Sequence, residues 1–200
     1  MKPSRFAWPF AISCAVTSLT NAHAGRDMSL EVRRITVFPV QPTGQPWDHV
    51  NRTFQGLVSA LADFSGVPVL HAIASIADLV SKSPMGSELP EPMAWLSVQC
   101  GGPESTQWVL RPGELTDTWN AVVHMQPISI TELSRRCSIS LNVDDFDRYN
   151  QNERIAHVEI SQYDIKRALK ARSDYCIDFR EISQGALVAA CIRVREQARP

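Results

Sequence analysis

Three carboxylates in the segment DFDRYNQNERIAHVEI, residues 145–160, have the type and spacing for cation chemistry. Asp145 and Asp147 stand two apart where an apolar run enters a turn, and Glu153 stands where the chain returns. A calcium-type cation takes several hard oxygen ligands at once, and carboxylates two apart on a turn can converge on one ion. The same residues also suit a solvated hairpin, because Asp caps turns and favours exposed loops. Asp144, just before the motif, reads as a solvated neighbour. On the residues alone both readings stay open.

Other reactive residue types argue against catalysis. His49, His71, His124 and His157 have no Ser or Cys partner in a recognisable nucleophile elbow, and no His-Glu-x-x-His motif is present. Trp47, Trp95, Trp108 and Trp119 read as core or sandwich-edge packing. The triplet Asn51-Arg52-Thr53 is a glycosylation acceptor, but it falls inside a predicted helix. The chain is expected not to be an enzyme.

The elements that would position these residues follow a leader. Residues 1–24 have a basic start (Lys2, Arg5), an apolar run and an Ala22-His23-Ala24 close, the pattern of a secretory signal peptide cut after Ala24. The domain is therefore expected over 25–200, in the periplasm or outside the cell. Without Lys2 and Arg5 it carries 18 basic against 21 acidic residues, with no contiguous Lys/Arg block, so nucleic acid is not expected as a partner. No later stretch is apolar enough to span a bilayer. Cys14 leaves with the leader, and Cys100, Cys137, Cys176 and Cys191 form an even set that reads as two disulfides in an exported chain. Three connectivities are possible. Sequence proximity and the strand layout favour Cys100 with Cys137 and Cys176 with Cys191.

Residues 30–40, LEVRRITVFPV, alternate imperfectly and predict a first strand. From Asp48, a plausible N-cap, Val50, Phe54, Leu57, Val58 and Leu61 recur at helical spacing, and Gly66 follows the end. A second helix is predicted from Pro68, with Val69, Ile73, Ile76 and Val80 on one face. Together they predict a helical hairpin over about residues 48–81. The remainder predicts strands in MAWLSVQC, TQWVLRP, TWNAVVHM, CSISLNV, HVEI, YCIDFREI and ALVAACIRVRE, with a short helix in QYDIKRALKA. Many short, evenly spaced strands argue for a β-sandwich or barrel.

The segment from Asp145 resembles the C2 domain, the calcium-dependent lipid-binding β-sandwich. Upstream, ISITELSRRCSISLNV is similar to that family's short link and strand. LTDTWNAVV keeps its Trp-Asn pair as Trp119 and Asn120, with Asp117 where Pro is usual, and EPMAWLSVQCGG looks like its Asp-Pro-aromatic strand. ALVAACIRVRE fits the last strand. The likeness covers residues 30–40 and 91–196, and only the 145–155 loop is specific on its own. It implies a mainly β fold, a C2-like antiparallel sandwich of about eight strands, with the helical hairpin inserted after the first. It also implies calcium as cofactor, with Asp145 and Asp147 at ligand positions and Glu153 where a further Asp would stand. Asp48 and Glu91 would complete the set from the other side. So few acids would bind weakly, with dissociation constants of about 10⁻⁴–10⁻³ M. The implied partners are membrane lipid headgroups or a protein partner. The alternative is a calcium-independent protein-interaction or immunity-type factor of the bacterial envelope.

Overall fold

A computed structural model describes residues 27–43, 45, 47, 67–82, 89–100, 102–131, 137–147, 152–184 and 186–197. The expected leader, the first predicted helix from Asp48 and the Asn51 triplet lie outside these residues. In chain order the elements are β1 (Asp27–Val37), α1 (Val69–Lys82), β2 (Pro92–Cys100), β3 (Ser105–Leu110), β4 (Asn120–Val122) and β5 (Ile128–Thr131). They continue with β6 (Cys137–Asp145), β7 (Glu153–Glu159), α2 (Gln162–Ala171), β8 (Tyr175–Asp178) and β9 (Leu187–Glu196). These strands build two antiparallel sheets. One has the order β4-β1-β9-β8, with β5 also on β1, and the other the order β3-β2-β6-β7. The fold is mainly β, two antiparallel sheets packed on a shared core, the sandwich architecture that the many short strands lead one to expect.

The imperfect alternation of the first strand has a physical cause. Register shifts between Val32 and Arg34 against β9, so Arg33 is an extra residue. That bulge lets Leu30, Val32, Ile35 and Val37 all face the core despite their uneven spacing. Its backbone groups find partners: Val32 N donates to Met125 Sδ (3.2 Å) and Val123 N donates to Arg33 O (3.0 Å). The bulge also splits β1 into two pairing zones, Asp27–Leu30 for β5 and Arg34–Thr36 for β4.

Facing rows of aliphatics fill the space between the sheets. Leu96, Leu141 and Val158 lie side by side across β2, β6 and β7, all fully buried. A second, smaller cluster lies where α1 sets Ala72, Ile73 and Ile76 against Phe38, Val40, Val188 and Ala189. Arg180 holds the chain at this junction, donating from Nη2 to Val67 O (2.6 Å) while its Nε meets Asp178 Oδ1 (2.9 Å). Burial pushes the Asp178 carboxyl up, but the hydrogen bonds and charge of Arg180 outweigh it and hold Asp178 below the ordinary carboxylate range. The second predicted helix is thus present on the face its periodicity named.

Each sheet carries one disulfide. Cys100–Cys137 joins opposed residues of β2 and β6, and Cys176–Cys191 joins opposed residues of β8 and β9. This is the pairing favoured by sequence proximity, and it fits an oxidising environment. Several expected boundaries move, among them the first strand, which runs Asp27–Val37 rather than 30–40, and β8, which ends at Asp178. The strand sought in TWNAVVHM shortens to Asn120–Val122, β7 begins at Glu153 rather than His157, and Ile128–Thr131 is a strand rather than a link. In each case pairing across the sheet, not local pattern, sets the limit.

Candidate functional site: the acidic rim and the outer face of the four-stranded sheet

β6 does not stop where the apolar run ends. It continues through Asp144 and Asp145, because β2 and β7 both offer backbone partners that far: Asp145 stands opposite Pro92 on one side and Glu153 on the other. Strand alternation then sends the two aspartates to opposite faces. Asp145 follows Leu141 and Val143 toward the core side and is 2% exposed. Its Oδ1 accepts a hydrogen bond from Glu91 N (2.7 Å), and Phe146 N donates to Glu91 O (2.8 Å). The carboxylate therefore extends the β2–β6 ladder by one rung at the point where β2 begins.

The remaining expected ligands fall around this rung. Asp147 N donates to Asn152 Oδ1 (3.2 Å), closing the mouth of the turn. Glu153 Oε2 accepts from Gln41 Nε2 (2.7 Å), tying β7 to the segment after β1. Glu91, just ahead of β2, thus sits beside Asp145 of β6 and Glu153 of β7 at one end of the sheet. Asp48 lies outside the described residues. Among the described residues, no group of three or more His, Cys, Asp or Glu side chains could hold a metal ion. Asp145 and Glu153 serve as acceptors for a backbone and an amide donor, and residues 148–151 of the loop lie, like Asp48, outside the described residues.

Asp144, expected to be solvated, is buried on the opposite, outer face, where it forms an ion pair with Arg154 of β7. Burial pushes its carboxyl above the ordinary carboxylate range, against the charge and hydrogen bond of Arg154. Arg154 also lies over the Trp95 ring (5.9 Å to the centroid), and Trp95 meets Trp108 edge-on (5.7 Å, 68°). Beside them His157 Nδ1 lies 2.7 Å from Asn142 Oδ1. Trp47 is a core residue, its Nε1 donating to Phe38 O (2.8 Å), and Trp119 packs half-buried on the α1 cluster. Trp95 and Trp108 instead form an outward layer, and Trp108 is 42% exposed on the outermost strand. The signal for that placement is positional: Trp95 lies between inward Ala94 and Leu96, so the strand period points it outward.

Next to the rim, a groove of about 540 Å³ runs between β7 and the turn after β8. Gln41, Trp47, Glu153, His157 and Ile182 are among its lining residues, and Ile182 is 68% exposed.

Fold and rim together define a disulfide-linked antiparallel β-sandwich whose acidic motif is built into its strand ends. The chain is similar to solved structures at low identity. It aligns with human GIVD cytosolic phospholipase A2 at 13% identity and TM-score 0.44, over 87% of this chain and 18% of that one. With C2 domain A of plant Extended Synaptotagmin 1 the values are 6% and 0.40, over 87% and 97% of the two chains. With BON1-C2B they are 11% and 0.38, over 88% and 94%. The chain therefore spans 18% of the length of the phospholipase. No protein-family profile matches the sequence, and no curated protein matches it.

The Asp145 rung makes a measurable prediction. Asp145→Ala removes the acceptor of a buried N–H and is expected to cost about 2 kcal/mol in urea unfolding, while Asp145→Asn keeps an acceptor and costs about 1 kcal/mol or less. Equal, near-zero costs for both would show the carboxylate to be a bystander.

Proposed function

We propose that this chain is an exported, non-enzymatic binding module that docks on a membrane surface and needs no calcium to do so. The observation that carries the reading is the use of the rim carboxylates. Asp145 is bonded to Glu91 N and Glu153 to the Gln41 amide, so these oxygens complete hydrogen bonds between strands and segments of the scaffold. An ion would have to compete with those donors for the same carboxylates. The best-placed histidine, His157, pairs with the Asn142 amide, which is neither a nucleophile nor a base. The resemblance of the 145–160 segment to C2 domains supports docking as the class of activity, and the two disulfides support export. In the described residues no helix is long and apolar enough to cross a membrane.

A second reading, a protein partner, draws on the groove beside β7. Its exposed Ile182 beside the polar Gln41, Glu153 and His157 suits a peptide segment better than a lipid headgroup.

Calcium independence is tested by thermal unfolding in millimolar calcium and in chelator. The midpoints are expected to coincide within about 1 °C. A site ten-fold saturated would add about 1.4 kcal/mol, or about 4 °C in a domain of this size. A rise of that order in calcium would overturn the reading.

A further inference from the structure

We propose that α2 carries the docking face, and that it recognises the acidic phospholipid headgroups of a membrane. The inference rests on the docking reading above and adds to it the surface and the ligand. Tyr163, Lys166, Arg167 and Lys170 are spaced three, four and seven residues apart, which gathers them on one side of the helix. All four are exposed, and the opposite side places Ile165 and Ala168 in the core. Arg172, at the C-cap, extends the exposed basic run. Asp164, the one acid in α2, is engaged at the start of the helix, where its N–H donates to Ser161 Oγ (3.1 Å) and its carboxylate accepts from the same hydroxyl.

The charges on this face are not neutralised locally. Among the described residues the ion pairs belong to Arg33, Lys82, Arg154, Arg180 and Arg193, and none to Lys166, Arg167, Lys170 or Arg172. Arg167 is held between aromatic rings, 5.4 Å from the Tyr163 centroid and 5.3 Å from that of Tyr175. This contact orients the guanidinium while leaving its charge intact. A chain with a formal net charge of −1 thus concentrates positive charge on one short helix. Its place in the fold is also distinctive. β7 starts beside Asp145 and ends beside Ser140, and α2 follows directly, so the stripe stands at the end of the sandwich away from the acidic rim.

Charge complementarity decides the occupant. Because the apolar side of α2 is already in the core, the helix cannot turn it into a bilayer, and contact must be electrostatic and at headgroup level. Flexible lysines along a stripe suit a sheet of mobile phosphates better than one ordered anion. Tyr163, 65% exposed, adds an amphipathic ring of the kind that sits at a membrane interface.

The test is co-sedimentation of the oxidised chain with phosphatidylcholine vesicles, with and without about one-third phosphatidylglycerol. The chain is expected to bind only the acidic vesicles, with or without chelator, and to release as salt rises. Each basic side chain near such a surface contributes about fivefold, so Lys166→Gln with Lys170→Gln should weaken binding about 25-fold at an unchanged thermal midpoint. Binding that survives the double substitution, or that is equal on both vesicles, overturns the α2 stripe alone. A chain that binds neither vesicle overturns membrane docking itself. A chain that binds neither vesicle but is retained by an acidic polypeptide through Lys166 and Lys170 assigns the stripe to a protein partner and overturns the lipid assignment.

Discussion

Cys100→Ser with Cys137→Ser is expected to lower the unfolding free energy by about 4 kcal/mol, and Cys176→Ser with Cys191→Ser by about 3 kcal/mol. The order follows from the lengths of chain that each link closes, sequence separations of 37 and 15 residues. A longer closed loop removes more conformational freedom from the unfolded chain, and the cost of opening it rises with the logarithm of its length. The longer loop contains β3, β4 and β5, so without the link these strands must find their sheets from a less confined chain. Packing works in the other direction, since Cys191 is buried while Cys100 is exposed. Urea unfolding of the two double variants beside the parent distinguishes the effects. A larger loss from the 176–191 pair would mean that side-chain packing, not loop closure, dominates these links.

Leu141→Ala is expected to cost about 3 kcal/mol, the cost typical of truncating a fully buried leucine whose neighbours cannot close the gap. Leu141 stands on β6 between Leu96 on β2 and Val158 on β7, facing the other sheet. Three rigidly hydrogen-bonded strands hold that row in place, so collapse around the missing atoms is limited. The loss should appear in the unfolding midpoint with the denaturant dependence unchanged. A cost below about 1 kcal/mol would mean that the sheets move together and that the core is less tightly fixed than its burial indicates.

Both values bear on how function is carried. A scaffold stapled in each sheet and packed through its middle presents its surfaces at fixed positions, and those surfaces then differ by chemistry alone. At one end, acids are drawn into the backbone ladder; at the other, basic side chains project from α2 with no ion-pair partner among the described residues. The acidic loop motif directs attention to the first end, while the docking surface proposed above lies at the second.

Several features were legible from local pattern. The limits of α2 follow from Ser161 and Asp164 at its start and the helical spacing of Ile165, Ala168 and Leu169, interactions confined to a few residues. The apolar face of α1 was equally plain. β5 was not, because four residues after Pro127 carry too little periodicity, and their pairing with Asp27–Leu30 comes from a distant part of the chain. Nor was the bulge at Arg33, which shows in the sequence only as a lapse in alternation. The basic stripe reads as scattered charges in KRALKAR, and only the turn of the helix gathers them.

By itself, then, the sequence determined a mainly β chain, the favoured cysteine pairs, the two described helices and an acid-rich turn. These depend on periods of two and 3.6 residues and on capping, which act between near neighbours. Tertiary structure decided what the acids do. Asp145 meets the N–H of Glu91, 54 residues away in sequence, and Asp144 one position earlier faces outward to Arg154. Two adjacent carboxylates of identical chemistry acquire different roles because a strand sends them to opposite faces, and the partners waiting there come from other strands.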